Sequence, residues 1–433
     1  MTIPRRCAAL AAIAMALSST HAAEPAWPRE AATLGARDAE PVVRAEFALA
    51  GAADPGRSPN LLGLPLQGRS GAQGRVSGGE ADGLRWALGG SVIDAASQRS
   101  DLDGTALSLP LGPGRVYASV ERRHWGPSPL ASLVLDGSAR ALPAIGWRKT
   151  SAETFAWPVL AWTGPWRTDF FAGRTSNDIG PGGVKLLGWR LEIEPMHGLV
   201  LGGSRTIQWG GQGRPQNPGS LLRAIAGFDN FEAPNPAAEP GNQLAGFDAR
   251  WTLPWGGPWR LSLHGQAIGE DEAGHLPSLY LASGGAEIAT RLDDGTALRL
   301  VGELADTMAG RAFSDGKPGT AYRHPLYPAG YRHRNELLGH PVGPDARMAT
   351  LGLAAQRGQA RVLLMAHRGS EGRRGLAGEL RFAFDAGPAL ALAASQWNDT
   401  AGRERGLQLR IEIPLDSLRA TPAARSAWPA GSS

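Results

Sequence analysis

Apolar and polar side chains alternate one by one along many segments of the chain. From residue 259, one face carries Trp259, Leu261 and Leu263, and the other carries Arg260, Ser262, His264 and Gln266. The same period of two recurs at residues 189–194, 247–253, 379–385 and 407–415. Successive side chains of a β-strand point to opposite faces of its sheet. The pattern therefore predicts a series of strands that each have one apolar and one polar face.

The predicted connections between these strands alternate between short and long. Short turns are predicted near residues 164, 195–198, 256–257, 293–296, 357–359 and 386–388. Longer polar loops are predicted at residues 175–185, 206–241, 269–283, 305–345, 369–375 and 398–405. Transmembrane β-barrels have short periplasmic turns and longer external loops, whereas a soluble sandwich does not require this asymmetry.

The strand count predicts an all-β fold, a transmembrane antiparallel β-barrel of about 18 strands with long external loops. Thirteen strands fit between Phe155 and Leu415. Five more fit before them, at residues 41–50, 83–95, 104–111, 114–123 and 140–149. This arrangement puts both termini at the periplasmic end, and it also puts the segment around Trp125 there.

Two further features favour a membrane barrel over a soluble sandwich, which would alternate in the same way. The polar faces carry charges of both signs in segment after segment, as suits a wet lumen. Tryptophans flank the tight turns at residues 162–166 and 255–259, which is where an interfacial aromatic girdle would lie.

The two ends of the chain differ from its centre. Arg5 and Arg6 precede an apolar stretch at residues 8–17 and small residues up to Ala23, which is typical of a secretory signal peptide. We predict a signal peptide at residues 1–22, a short periplasmic segment at 23–40, the barrel at 41–419 and a polar tail at 420–433. Cys7 is the only cysteine and lies in the signal peptide, so the mature chain is expected to form no disulfide.

The charge of the chain does not indicate a nucleic-acid partner. The isoelectric point is about 9.5, but the arginines are interspersed with acidic residues rather than gathered in one basic stripe. After the apolar stretch at the N-terminus, no run of about 18 apolar residues could form a membrane-spanning helix. We therefore expect outer-membrane lipid, but no nucleic acid, among the partners.

Four stretches of the chain carry motifs that occur together in one known family. They are residues 121–129 (ERRHWGPSP) leading to 138–143 (SARALP); residues 203–211 (GSRTIQWGG) followed by 228–230 (FDN); residues 269–272 (GEDE) followed by 276–278 (LPS); and residues 331–334 (YRHR) through 338–340 (LGH) to 343–346 (GPDA). In this order and spacing they resemble the Wzi family of capsule assembly proteins, over residues 115–350.

The resemblance implies an outer-membrane barrel that helps hold capsular polysaccharide on the cell surface. It also implies a helical segment near the N-terminus that plugs the periplasmic side. Two features depart from this pattern. Residues 24–60 contain several Pro and Gly and no long amphipathic helix, and the chain ends in a polar tail rather than on the aromatic residue with which many outer-membrane barrels end.

Polysaccharide binding needs aromatic faces for the sugar rings and polar or arginine side chains for hydroxyls and carboxylates. The candidate residues fall into three clusters with Glu270 in addition: Arg122, Arg123, His124 and Trp125; Arg205, Gln208, Trp209 and Asp229; and Tyr322, Tyr327, Tyr331, Arg332 and His340. Structural roles remain open for each cluster. The first could form a turn that plugs the lumen, Arg205 and Glu270 could be a lumen ion pair, Trp209 could belong to the girdle, and the tyrosines could serve loop packing.

The predicted function is non-enzymatic binding and anchoring of exported capsular or extracellular polysaccharide, with the barrel assembly machinery as a partner during biogenesis. The chain has no Gly-x-Ser-x-Gly or His-Glu-x-x-His motif, so neither a cofactor nor a metal is expected. Two alternatives stay open. Lumen-facing arginines would suit a diffusion channel for anionic solutes, and loop residues could belong to a glycan- or lipid-modifying enzyme of the outer membrane.

Overall fold

The computed structural model describes residues 44–52, 62, 70–80, 82–93, 100–227, 241–254, 257–273, 276–310, 316–384, 388–400 and 402–414. The predicted signal peptide with Cys7, the N-terminal segment up to residue 40 and the polar tail lie outside these residues. Asp229 and Trp255 lie outside them as well.

The described residues form one antiparallel sheet of 19 strands and a separate two-stranded hairpin. The sheet contains β1 (Arg44–Ala52), β2 (Ser70–Gly79), β3 (Arg85–Ile93), β4 (Ser100–Asp101), β5 (Ala106–Leu111), β6 (Gly114–Glu121), β7 (Leu142–Thr154), β8 (Pro165–Arg174), β9 (Lys185–Met196), β10 (Leu199–Trp209), β11 (Gly241–Thr252), β12 (Trp259–Ala273), β13 (Leu276–Arg291), β14 (Ala297–Gly310), β17 (Arg347–Arg357), β18 (Ala360–Gly369), β19 (Arg374–Ala383), β20 (Ala389–Asp399) and β21 (Gly402–Pro414). The hairpin consists of β15 (Arg332–His333) and β16 (Glu336–Leu337), and the helices are a 3-10 helix (Pro158–Thr163) and α1 (Pro218–Ala226).

Strands that follow one another in the chain pair with one another around the sheet. The first strand, β1, pairs with β2 on one side and with the last strand, β21, on the other, where Phe47 lies opposite Ile413. Because β4 and β5 both pair with β3, they share one position, and the wall has about 18 strands. The predicted all-β barrel with about 18 strands is confirmed.

The two faces of the wall differ as the alternation predicts. Large apolar side chains such as Trp259, Leu263 and Phe247 point outward and are exposed. The inward face is polar and buried, and it is laced by ion pairs. Arg190 binds Asp248 (Nη1–Oδ2 2.8 Å), Arg299 binds Glu287 (Nη2–Oε2 2.8 Å) and Arg410 binds Glu379 (Nη2–Oε2 2.9 Å). Pairing offsets the large cost of burying each of these charges.

Two segments occupy the lumen, and we call them the strap (residues 122–141) and the cap (residues 316–346). The strap is almost entirely buried, and the side chain of Gln266 on β12 holds it. The Gln266 Nε2 donates to the Trp125 carbonyl and its Oε1 accepts from the Leu133 N–H, both at 2.8 Å. Arg123 and Trp125 of the strap contact Tyr117 on β6 and Phe171 on β8. Across the barrel, Leu130 of the strap and Val342 of the cap pack with inward residues of β14 and β17–β20. The two segments therefore cross the lumen from wall to wall.

The predicted position of the strap at the periplasmic end is wrong. The strap follows β6, which begins directly after the two-residue turn between β5 and β6, so it lies at the opposite end from the short turns, together with the cap. Two errors in the strand prediction caused this. Strand β2 (Ser70–Gly79) was missed because its ten residues include four glycines and few apolar residues. The region after Phe155 was counted as a strand, but it forms a turn with the 3-10 helix.

One predicted loop is also wrong. Residues 269–283 mostly belong to β12 and β13, which continue past the apolar part of the wall. The backbone N–H and C=O groups of the two strands pair with each other whatever the side chains are. A polar sequence therefore does not exclude a strand here.

Candidate functional site

The strap gathers the first predicted cluster, but it buries that cluster. Arg123 donates from Nη2 to the Tyr117 hydroxyl at 3.1 Å, and its guanidinium lies 4.3 Å from the centre of the Phe171 ring. Trp125 is only 1 % exposed and packs against Phe171 with 5.4 Å between ring centres. His124 bonds the Ser128 carbonyl through Nε2 at 2.8 Å. This geometry matches the plug role that the sequence left open.

A charged cluster joins the strap, the cap and the β4 segment at the long-loop end. Arg140 binds Glu336 (Nε–Oε1 3.2 Å) and lies 3.6 Å from Asp101 (Nη1–Oδ2), which also contacts Arg334. Burial raises the pKa of Glu336, while the guanidinium groups of Arg140 and Arg122 act in the opposite direction. Sequence reasoning did not select Asp101 or Glu336, because nothing in the local pattern shows that residues so far apart in the chain meet.

The second predicted cluster is divided between the two faces of β10. Gln208 points into the lumen, where its Nε2 donates to the Gly330 carbonyl at 3.1 Å and its Oε1 accepts from Asn242 at 2.9 Å. Arg205 and Trp209 lie on the outward face instead. The strand period of two already separates Gln208 from these two residues, so this part of the placement was available from the sequence.

Helix α1 packs over the outward face of β10. Arg205 donates to the Ile225 carbonyl (Nη1–O 2.7 Å) and the Ala224 carbonyl (Nη2–O 3.1 Å), and Trp209 donates from Nε1 to the Ser220 hydroxyl at 3.1 Å. Ile207 is buried beneath the helix. A cation at the last carbonyls of a helix stabilises its C-terminal end.

Arg205 is therefore a helix anchor, and it does not form the lumen ion pair with Glu270 that the sequence left open. Glu270 accepts from the Tyr322 N–H through Oε1.

Among the residues that the structure describes, no helix is both long and apolar enough to cross a bilayer.

Apart from Arg332, the third predicted cluster forms the inner part of the cap. The Tyr322 and Tyr331 rings stack with 6.2 Å between centres. The Tyr322 hydroxyl donates to the Leu133 carbonyl of the strap at 2.8 Å and accepts from the His340 N–H at 3.1 Å, and the Tyr331 hydroxyl bonds Thr206 at 3.0 Å. Burial raises the pKa of Tyr322 well above its ordinary value, so its hydroxyl stays protonated and keeps donating to the strap.

The outer part of the cap is the hairpin of β15 and β16. Its two turn residues, Arg334 and Asn335, have φ angles of 53° and 63°. This left-handed backbone suits the hairpin twist, and Asn adopts it readily whereas Arg does not. Loop 175–184 holds the turn in place, because Asn177 accepts from the Asn335 N–H at 2.9 Å and Asp178 accepts from the Asn335 amide group at 2.6 Å. Backbone strain of this kind clusters at functional sites.

Arginines give the outer surface of the cap a positive character. Arg323 is 55 % exposed at its side chain and contacts Asp345 (Nη1–Oδ2 3.2 Å). Burial lowers the pKa of Arg332, and the nearby positive charge of Arg323 lowers it further. Arg332 also donates from Nη1 to the Asn335 carbonyl at 2.8 Å. Forked guanidinium groups beside planar amides can bind carboxylates and hydroxyls of an acidic sugar chain.

In the part of the chain that the structure describes, no three His, Cys, Asp or Glu side chains are placed to hold a metal ion.

Comparison with known proteins gives consistent results. The model of the family described as "Capsule assembly protein Wzi" matches residues 63–415. The structure is similar to that of Wzi from Escherichia coli, reported as an outer-membrane, carbohydrate-binding β-barrel involved in group 1 capsule assembly. The two share 22 % identity with a TM-score of 0.72, over 86 % of this chain and 84 % of that one. An uncharacterised 55.8 kDa protein of the cps region of Klebsiella pneumoniae is 40 % identical over 167 residues, which cover 38 % of this chain and 32 % of that relative.

Proposed function

The chain belongs to the capsule assembly protein Wzi family, and we propose that it is a non-enzymatic outer-membrane protein that binds exported polysaccharide at the long-loop end of its barrel. The polymer would be a capsular or extracellular polysaccharide, and binding would help anchor it at the cell surface. The E. coli relative with the same fold is reported to bind carbohydrate, which supports this class of ligand.

The occupied lumen is the observation that carries the proposal. The strap runs buried from wall to wall, and the cap is bonded to it where the Asp136 N–H donates to the Leu338 carbonyl at 2.7 Å and Tyr322 donates to the Leu133 carbonyl. A diffusion channel needs a continuous water path, and these two bonded segments obstruct one. The same segments give the long-loop end a fixed surface on which a polymer can lie.

We assign polymer contact to the outer surface of the cap. Arg332 is the member of the predicted set that lies there, and Arg323 and Asn335 join it. The other cap and strap residues of the predicted set, including Trp125, Tyr322 and His340, would hold this surface in place from below. The two arginines are suited to carboxylates, so the proposed ligand is an acidic polysaccharide.

The outward apolar face supports placement in the outer membrane. Exposed residues such as Leu88, Phe247 and Leu376 would face lipid, and exposed Trp157, Trp162 and Trp259 lie at the short-turn end, as in an interfacial girdle. Export by a signal peptide at residues 1–22 and insertion by the barrel assembly machinery are part of the same proposal.

Binding of the purified, folded barrel to surface polysaccharide from the same strain tests the proposal. The double variant Arg323→Ala/Arg332→Ala should bind about tenfold or more weakly, because each charge-assisted pair contributes roughly 1.5–3 kcal/mol. Arg357→Ala is the matched control, because Arg357 is an exposed arginine at the opposite end that contacts Asp294. Carboxyl-reduced polysaccharide should bind the wild type as weakly as it binds the double variant. Equal binding by wild type and double variant would remove the cap surface from the proposal.

A further inference from the structure

A second site lies outside the barrel, on the outward face of β17–β20 at the long-loop end. We propose that it binds a phosphorylated lipid of the outer leaflet, with the phosphate at Arg368 and Arg374 and an acyl chain along Leu351, Ala366 and Leu376. The groove between these residues has a volume of about 570 Å³. The inference rests on the outer-membrane placement proposed above, but it does not depend on polysaccharide binding.

The two arginines form an unusual pair. Arg368 on β18 lies directly opposite Arg374 on β19 in the strand register, and both are exposed. Like charges directly opposite each other in a sheet are destabilising. Within the described ranges, neither guanidinium has an ion-pair or hydrogen-bond partner, although nearby arginines do have partners, such as Arg347 with Asp306 and Arg373 with Glu371. A bound dianion between the two arginines would turn this repulsion into attraction.

The groove below the arginines is apolar. One step further from the loops, Ala366 lies opposite both Leu351 on β17 and Leu376 on β19. Both leucines are more than half exposed, and the small Ala366 between them leaves a furrow along the wall. A single lipid matches both parts of the site, because its charged headgroup would lie at the two arginines and its apolar chain along the furrow below them.

The level of the arginines on the wall indicates which leaflet is involved. Arg374 is the first residue of β19, and Arg368 is the last but one of β18, so both lie where the wall leaves the apolar zone on the loop side. This is the outer leaflet, in which the phosphate-bearing lipid of such a membrane is lipopolysaccharide, anchored by its lipid A. The planar guanidinium fork suits phosphate oxygens in a bidentate arrangement. We therefore commit to lipid A as the ligand.

Native mass spectrometry of the purified barrel in detergent tests this site with three probes: lipid A, dephosphorylated lipid A and phosphatidylglycerol. Wild type should prefer lipid A by about tenfold or more over both others. Arg368→Gln/Arg374→Gln should lose this preference, and Arg357→Gln, at the opposite end of β17, should keep it. Ala366→Trp, which fills the furrow, should weaken lipid A and dephosphorylated lipid A alike.

Two results would overturn the site. One is an unchanged phosphate preference in Arg368→Gln/Arg374→Gln, and the other is equally tight binding of phosphatidylglycerol to wild type. Polysaccharide binding measured on the same preparations separates the two proposals. It should be unaffected by Arg368→Gln/Arg374→Gln, and its absence from wild type would contradict the proposed function while leaving the lipid result intact.

Discussion

The strap and the cap enter the lumen from the same end of the barrel, but they differ in what they show to the outside. Every residue from 128 to 141 of the strap is buried, whereas the cap exposes Arg323 and Asn335 at its outer surface. Both segments carry arginines. In the strap, the Arg123 guanidinium lies over the Phe171 ring and holds the plug to the wall, whereas in the cap Arg323 is exposed. Access, rather than residue type, separates an architectural arginine from one that can meet a ligand.

The largest effect should come from Trp125→Ala in the strap. Removing a fully buried indole costs roughly 3–5 kcal/mol of folding free energy, and here it also removes the ring that packs on Phe171. We expect a clear loss of stability in denaturant unfolding and a rise in ion conductance across planar bilayers, because the plug would loosen.

Trp162→Ala provides the matched control, since Trp162 is 68 % exposed at the short-turn end. It should change stability less and leave conductance at the wild-type level. A Trp125→Ala barrel with wild-type stability and conductance would show that the strap does not hold the plug.

A smaller, pH-dependent effect is expected in the cap. His333 is buried, and burial lowers its pKa from 6.5 to about 4. Its Nδ1 accepts from the Ser176 N–H at 3.2 Å, a bond that requires the unprotonated nitrogen. The folded state therefore prefers neutral His333. The resulting stability is fully present above pH 6.5 and is lost as the pH falls towards 4, by at most about 3 kcal/mol.

Hydrogen exchange of the hairpin amides between pH 7 and pH 4, corrected for intrinsic rates, measures this loss. His333→Asn keeps an acceptor for Ser176 but cannot titrate, so its protection should vary less with pH. The difference between the two proteins removes the contribution of Glu336, whose pKa burial raises. Identical pH profiles would mean that His333 does not control the hairpin.

Local pattern was enough to predict the barrel but not what fills it. Alternation gave the strands and both faces of the wall, since a strand's side-chain period does not depend on distant residues. The position of the strap did not follow from the alternation. Strand β2 is rich in glycine and escapes the prediction, whereas the turn after Phe155 is rich in apolar residues and is predicted as a strand. The two errors cancel in the strand count, but they reverse the predicted chain direction between them. The total was therefore correct while the strap was assigned to the wrong end.

The contacts around the candidate site are harder to predict than the wall, because they join residues that are distant in sequence. Arg140 and Glu336 meet only when the strap and the cap are folded into the same lumen. Likewise, nothing in the sequence near Arg205 shows that a helix will lie over it. The alternation alone does show one feature of the site: Gln208 lies on the opposite face of its strand from Arg205 and Trp209.

The smallest expected effect concerns Arg205, which lies on the outside of the barrel and can be compared with the arginines of the cap. Arg205, like Arg332, is a candidate contact residue in the sequence, but it anchors α1 through the Ala224 and Ile225 carbonyls. Arg205→Ala should cost about 1–2 kcal/mol of local stability, seen as faster hydrogen exchange in α1, while polysaccharide binding stays at the wild-type level. Arg205→Lys, which retains the charge but not the fork, should restore part of the protection. The contrary outcome is that Arg205→Ala weakens polysaccharide binding as much as Arg323→Ala/Arg332→Ala does. The binding surface would then extend over the rim of the barrel to α1, and the cap would be only part of it.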